Sequence, residues 1–149
     1  MRAVIQRVAE AAVTVDGERV GAIGQGLLVF VGVADGDGPT DIEYMASKIA
    51  GLRIFRDADG RMNLSVSDVG GAVLVVSQFT LLGDVRRGRR PAFDGAAPPA
   101  AARTIYDALI LRMRDDGIAV ASGRFQADMD VSLVNDGPVT ILLDSRRAF

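Results

Sequence analysis

The chain lacks the side chains on which most hydrolases and metalloenzymes depend. Its 149 residues include no histidine and no cysteine. That composition removes the usual zinc and copper ligands, the Ser-His-Asp and Cys-His nucleophiles, and the commonest general base near neutral pH. Any reaction at this protein must therefore use carboxylates, hydroxyls, backbone groups or a group of the substrate itself. We expect neither a metal nor a cofactor.

Two hydroxyl residues stand where a sheet commonly presents its ligands. Ser77 and Thr80 follow residues 72–76, the most strand-like run in the sequence, and α/β sheets bind ligands at the carboxyl ends of their strands. A hydroxyl nucleophile needs an adjacent base, yet the only lysine, Lys48, falls in a predicted helix. The position favours a hydroxyl that caps the strand or lines a pocket over an activated nucleophile.

An arginine cluster occupies the loop that runs from Gly83 to Pro99. Four guanidinium groups lie within five positions, at Arg86, Arg87, Arg89 and Arg90. The ordinary explanation is a solvated charge run. The competing interpretation is a phosphate clamp, because the guanidinium fork matches phosphate oxygens. A net charge of −2 for the whole chain argues against wrapping a long nucleic acid but permits contact with one end of it.

The pair Gly137-Pro138 is the most unusual local feature. Strand-like runs flank it at residues 129–134 and 139–143, and Asn135 and Asp136 directly precede it. A proline deletes one hydrogen-bond donor of a strand and is normally restricted to edges or first positions. We therefore predict a sharp reversal between two strands, with Pro138 as a turn residue.

The remaining pattern predicts the framework that positions these residues. Runs rich in β-branched and other apolar residues predict strands at residues 3–8, 11–15, 19–23, 27–33, 52–55 and 72–76. A capping box of Thr40 and Glu43 predicts the start of one helix, and a second helix is expected over about residues 100–116. Strands thus outnumber helices, which favours sheet layers with helices on one side over a doubly wound fold.

Length and hydropathy limit the organisation of the chain. At about 150 residues per domain, residues 1–149 predict a single domain. The longest purely apolar runs are about five residues, far short of the roughly 20 that span a bilayer. The first residues lead directly into a strand pattern and carry no export signal. We therefore expect a cytoplasmic protein.

Five blocks of the sequence together resemble one protein family. They are Ile5 to Val8, Ser77 to Leu81, Arg87 to Phe93, Gly123 to Met129, and Asn135 to Thr140. In this order and spacing they are similar to the D-aminoacyl-tRNA deacylases, also called D-tyrosyl-tRNA deacylases. The resemblance extends from the first residue to about residue 143, which leaves only the C-terminal tail unmatched.

The resemblance implies a fold, an activity and partners. The fold is a three-layer α/β/β arrangement with mixed, barrel-like sheets and two main helices. The activity is a proofreading hydrolysis of the ester that joins a D-amino acid, or glycine, to the 3′-terminal adenosine of tRNA. The family is a tRNA-binding homodimer without a cofactor, which implies no membrane and no DNA as partners.

The resemblance also implies roles for particular residues. The family's catalytic segment is matched by Ser77, Gln78, Phe79 and Thr80, and the resemblance implies that it acts through backbone groups and the 2′-hydroxyl of the RNA. A Gly-cis-Pro pair from the partner subunit rejects L-amino acids. The positions implied to form or support the substrate pocket are Gly137, Pro138, Arg7, Phe125 and Met129.

Two other functions stay open on the sequence. One is a dimeric module that binds RNA 3′ ends without cleaving them, which an intact ester after incubation with D-tyrosyl-tRNA would favour. The other is a small-molecule esterase with a hydroxyl nucleophile, which labelling of Ser77 or Thr80 by an acyl-type inhibitor would favour.

Overall fold

The computed structural model describes all 149 residues. Its strands and α-helices are β1 (Arg2–Val15), β2 (Glu18–Ile23), β3 (Gly26–Gly32), α1 (Pro39–Gly51), β4 (Phe55–Arg56), β5 (Met62–Leu64), β6 (Ala72–Ser77), α2 (Pro99–Asp115), β7 (Ala119–Ser122) and β8 (Asp130–Asp144). A short 3₁₀ helix, Phe79–Leu82, follows β6. Neither α-helix has the length and apolar character that a membrane crossing requires.

The long strand β1 organises the main sheet. Its first half pairs with β3, its second half pairs with β2, and β8 runs antiparallel along its other side. Beyond β3, the strands β6 and β7 continue the sheet in parallel. Parallel neighbours need a crossover connection, and α1 and α2 provide the two crossovers.

Two hydrophobic cores lie on opposite faces of this sheet. Side chains alternate between the two faces of a strand, so Val73 and Val75 of β6 pack beneath the helices while Leu74 and Val76 join the second core. The apolar stripes of the helices bury Met45 and Met113 in the first core. Full burial of such a side chain stabilises the fold by about 1.5–3 kcal/mol.

The sheet curls until β2 lies against β7. A Cβ atom at Gly21 of β2 would be only 2.5 Å from the carbonyl oxygen of Ser122 in β7, so glycine permits the close approach. The result is a mixed, nearly closed, barrel-like sheet with two helices on one side. The fold predicted from the sequence is confirmed.

Several predicted boundaries differ from the structure, most of them by one residue. The separate strands predicted at 3–8 and 11–15 are one continuous strand, β1, because β8 pairs with both parts. The strand predicted at 52–55 is reduced to β4, whose only partner is the three-residue β5. The second helix begins and ends one residue earlier than predicted.

The predicted start of α1 is also wrong. The helix begins at Pro39, where a missing N–H group is harmless, and Gly38 is the N-cap residue. The carboxylate of Asp41 accepts a hydrogen bond of 2.9 Å from the Gly38 amide. Glu43 does not cap the helix, because its carboxylate binds Arg112 of α2 instead.

Candidate active site

The candidate catalytic segment begins where β6 leaves the sheet. Ser77 is the last residue of β6 and pairs with Val31 of β3. The amide of Gln78 still donates to the carbonyl oxygen of Val31 at 2.8 Å. The backbone of Gln78 is extended (φ −145°, ψ 91°), and the chain then turns into the 3₁₀ helix. The segment is thus held rigidly at the carboxyl end of a buried parallel strand.

The first two backbone N–H groups of the 3₁₀ helix make no hydrogen bond within that helix. Amides in the first turn of a helix have no acceptor within that helix, and this applies to the N–H groups of Phe79 and Thr80. Both residues are exposed. The ring of Phe79 contacts Phe93 edge-on, with 5.0 Å between centroids. The segment therefore offers two backbone donors on an accessible surface.

Phe125 packs on the first core, on the helical side of the sheet. The amide of Gly123 donates to the carbonyl oxygen of Val75 at 2.9 Å, which brings the chain after β7 next to the end of β6. Phe125 packs against Tyr106 at 5.8 Å between centroids. Burial raises the pKa of the Tyr106 hydroxyl, which stays neutral and donates to Val75 at 3.0 Å.

Met129 approaches from the other side of the sheet. It is half-buried and packs on the second core. A Cβ atom at Gly123 would come within 2.7 Å of its sulfur. Phe125 thus packs on the first core and Met129 on the second, on opposite faces of the sheet, close to the point where Gly123 contacts β6.

The Gly137-Pro138 pair does not reverse the chain, so that prediction is wrong. β8 pairs with β1 both before and after the pair, with Val8 opposite Asn135 and Gln6 opposite Thr140. Residues 136–139 therefore leave the ladder as a bulge while the strand continues in the same direction. Gly137 and Pro138 are exposed, and the peptide bond between them is cis.

A side chain that sequence reasoning missed closes this bulge. The carboxamide oxygen of Asn135 accepts from the Val139 amide at 2.8 Å, and its nitrogen donates to the Val139 carbonyl oxygen at 3.1 Å. Gly137 has φ of +148°, and a Cβ atom there would lie 2.8 Å from Cγ2 of Val139. The side chain of Asn135 thus replaces the strand hydrogen bonds that the bulge lacks. Glycine is needed at position 137 because a side chain there would collide with Val139. An asparagine two residues before Gly-Pro was the available signal.

Arg7 supports the bulge from within the protein. Its side chain is almost wholly buried, with 1% of the residue exposed. Nε donates to the carbonyl oxygen of Asp136 at 2.8 Å, and a terminal nitrogen donates to the carbonyl oxygen of Ile54 at 2.6 Å. The carboxylate of Asp136 lies 3.6 Å from Nε. The charge is therefore compensated, and the position of residue 136 is fixed.

We predict that Arg7→Met lowers the free energy of unfolding by about 3–5 kcal/mol, because the carbonyl oxygens of Asp136 and Ile54 each lose a hydrogen bond from a charged donor, which typically contributes about 1.5–3 kcal/mol. The matched control is Arg56→Met. Arg56 binds the same carboxylate of Asp136 at 3.4 Å, but on the surface, where an ion pair contributes about 0–1 kcal/mol. Urea unfolding of both variants measures the difference, and equal losses would show that Arg7 does not support the bulge.

Within one chain these residues form two separate groups. Arg7 and the bulge lie level with Leu27 of β3, whereas Ser77 lies level with Val31, four residues further along. The strands β1 and β3 also separate β8 from β6. At about 3.3 Å per residue and 4.8 Å per strand, the two groups are roughly 15–20 Å apart. A single copy does not bring Gly137 and Pro138 to the candidate catalytic segment.

Comparison with known proteins identifies the family. Residues 4–144 match the family model described as D-Tyr-tRNA(Tyr) deacylase. The chain belongs to this family. A D-aminoacyl-tRNA deacylase of Anaeromyxobacter dehalogenans is 62% identical over the full length of both chains. One from Thermotoga petrophila is 58% identical, also over both full lengths.

Solved structures agree with the deacylase fold. A structure named c-Myc DNA Unwinding Element Binding Protein superposes with a TM-score of 0.91 at 40% identity and covers 97% of this chain and 98% of its own. A probable eukaryotic D-amino acid tRNA deacylase superposes with a TM-score of 0.79 at 19% identity, covering 95% and 97%. The second likeness concerns the fold alone.

Proposed function

We propose that this deacylase-family protein hydrolyses the ester between a D-amino acid and the 3′-terminal adenosine of tRNA. The observation that carries the proposal is the end-to-end match to curated D-aminoacyl-tRNA deacylases at about 60% identity. The products are a free D-amino acid and intact tRNA. Such a proofreading hydrolase would work in the cytoplasm, where tRNA is charged.

The reaction would use backbone donors in place of a side-chain nucleophile. Water adds to the ester carbonyl carbon, the bond from that carbon to the ribose 3′ oxygen breaks, and the 3′ oxygen takes up a proton. The N–H groups of Phe79 and Thr80 are the donors proposed to stabilise the oxyanion, a contribution typically of about 2.7–4 kcal/mol. The vicinal 2′-hydroxyl of the substrate assists, so the protein mainly orients the ester.

The site would be completed by a second copy of the chain. The separation of roughly 15–20 Å between the two residue groups and the exposure of both support a homodimer. In this assembly the catalytic segment of one copy meets Gly137 and Pro138 of the partner subunit. Isologous two-fold pairing forms two such sites at once, and it is the commonest assembly of soluble proteins.

The bulge would select the substrate by exclusion. It projects from β8 and is fixed by Asn135 and Arg7. A rigid backbone can hold the substrate's α-amino group and block the position that an L-side chain needs. A D-side chain would point away from the bulge, and glycine has no side chain to block. We therefore expect glycyl-tRNA to be a second substrate.

The direct test is incubation of the purified protein with D-tyrosyl-tRNA, followed by separation of charged and uncharged tRNA. Release of D-tyrosine at a rate proportional to protein concentration is the expected result. An ester that survives while the tRNA stays bound would favour the non-catalytic RNA-binding alternative. Covalent labelling of Ser77 or Thr80 by an acyl-type inhibitor, with loss of turnover, would favour the nucleophilic esterase.

A further inference from the structure

The arginine cluster sits on a small hairpin fixed at its base. Asp84 and Ala92 exchange two backbone hydrogen bonds, of 2.8 and 2.9 Å. Gly88 has φ of +86° and forms the tip. We call residues 84–92 the basic hairpin. Phe93, the next residue, contacts Phe79 of the candidate catalytic segment, so the hairpin and that segment are held together.

One of the four arginines is committed to the hairpin itself. Arg86 binds the carboxylate of Asp84 through two nitrogens, at 3.0 and 2.6 Å. The hydrogen bond from the Arg86 side chain lowers the pKa of Asp84 to about 2, so the pair is ionised under all ordinary conditions. Arg86 is thus neutralised and shapes the turn.

The other three guanidinium groups are available to a partner. Arg87, Arg89 and Arg90 are exposed, and none of them takes part in the ion pairs or side-chain hydrogen bonds of the structure, unlike Arg86. Three unpaired cations within four positions repel one another. An array of anionic groups would relieve that repulsion.

The cavity at the base of the hairpin is lined by arginines that are already paired. It has a volume of about 570 Å³ and is lined by Arg2, Arg86 and Arg146 among other residues. Each of these arginines is already paired, Arg2 with Asp144 and Arg146 with Asp37. None of the arginines that line this cavity is unpaired, in contrast to the three at the tip of the basic hairpin.

We propose that Arg87, Arg89 and Arg90 bind phosphates near the acceptor end of tRNA, while Arg86 acts only as a positioning residue. The inference rests on the proposed function for the choice of partner. An arm of three residues carries the tip about 10 Å from the hairpin base, which equals about three stacked nucleotides at roughly 3.4 Å each. The phosphates contacted are thus those a few nucleotides before the terminal adenosine.

The test is a triple variant, Arg87→Gln, Arg89→Gln and Arg90→Gln, with two separate readouts. The first is binding of uncharged tRNA as a function of salt, measured by fluorescence anisotropy. Loss of three phosphate contacts should reduce the slope of log affinity against log salt by about 2–3. The second is hydrolysis of 3′-O-D-tyrosyl-adenosine, which has no further phosphates and should be cleaved within twofold of the wild-type rate.

A matched control removes three unpaired, exposed charges outside the hairpin. They are Arg19 of β2, Lys48 of α1 and Arg61 before β5, and none of them forms an ion pair. Replacing these three by glutamine should leave the salt slope of tRNA binding unchanged. A minihelix that carries only the acceptor arm should reproduce the slope difference between wild type and the hairpin variant.

The two readouts separate the possible failures. An unchanged salt slope in the hairpin triple variant, with the adenosine ester still cleaved, would overturn the hairpin proposal alone. So would an anticodon stem-loop that shows the slope difference as strongly as the acceptor minihelix. A reduced salt slope in the hairpin variant, with no cleavage of the adenosine ester by either the wild-type protein or the variant, would support the hairpin proposal. The same result would refute the proposed function.

Discussion

Replacing Phe79 by proline is expected to lower kcat for D-tyrosyl-tRNA by about 10²–10³-fold, the usual effect of deleting one oxyanion donor. The substitution removes a backbone N–H group that no side-chain truncation can remove. Ser77→Ala and Thr80→Ala leave both proposed donors in place and should keep most of the activity. The comparison distinguishes a backbone site from a side-chain nucleophile.

Proline is compatible with the local structure at this position. Phe79 is the first residue of the 3₁₀ helix, where the N–H group makes no intrahelical bond. The preceding residue, Gln78, is already extended, as a residue before proline prefers. Phe79→Ala is the matched control, because it removes the ring and its contact with Phe93 but keeps the amide.

One result with these variants would contradict a backbone site. If Ser77→Ala or Thr80→Ala loses as much activity as Phe79→Pro while remaining folded, a side chain carries the reaction. A tRNA whose terminal adenosine lacks the 2′-hydroxyl gives an independent check, since its ester should be cleaved much more slowly by the wild-type protein.

The second large effect concerns chirality. D-tyrosyl-tRNA should be hydrolysed at least about 10³-fold faster than L-tyrosyl-tRNA, which corresponds to about 4 kcal/mol at 1.4 kcal/mol per decade. A pocket that merely attracts one apolar side chain rarely separates similar groups by more than about 1–3 kcal/mol. Steric exclusion by a fixed backbone separates them further. Glycyl-tRNA should react because nothing on it clashes.

The same selectivity should depend on the support of the bulge. In Arg7→Met the carbonyl of Asp136 loses its buried donor, so the turn that carries Gly137 is less firmly fixed. The ratio of D to L hydrolysis should fall in this variant and remain unchanged in Arg56→Met. Comparable rates on D- and L-tyrosyl-tRNA in the wild-type protein would refute selection by exclusion.

Local patterns were sufficient for much of the framework. The apolar run of β6 and the helix expected over about residues 100–116 depend on nearby residues in sequence, and both are confirmed. Gly117 follows α2 in the left-handed conformation (φ +87°), which glycine commonly adopts after a helix. These features could be predicted because a periodic pattern determines which face is buried.

The bulge of β8 could not be predicted in the same way. Asn135 to Pro138 has turn chemistry that suits a reversal as well as an excursion from a continuing strand. Pairing with both halves of β1, more than 110 residues away in the chain, decides between them. The contact of Arg7 with Ile54 and Asp136 is likewise invisible to local analysis, because it joins three distant segments.

The arginine cluster shows a signal that local analysis could have used. Asp84 stands two residues before Arg86, and this short spacing permits the observed side-chain pairing. The four arginines are indistinguishable in the sequence. In the structure Arg86 is paired with Asp84, and the other three guanidinium groups are free. That distinction required the geometry of the hairpin base.

The most direct measurement uses a heterodimer of two inactive chains. One copy carries Phe79→Pro, and the other carries Gly137→Val, whose side chain would overlap Val139 and the guanidinium of Arg7. If each site combines the catalytic segment of one copy with the bulge of the other, the purified heterodimer contains one intact site and should show about half the activity of the wild-type dimer. If each site lies within one copy, both sites stay damaged, and activity no higher than that of the two parent homodimers would contradict a shared site.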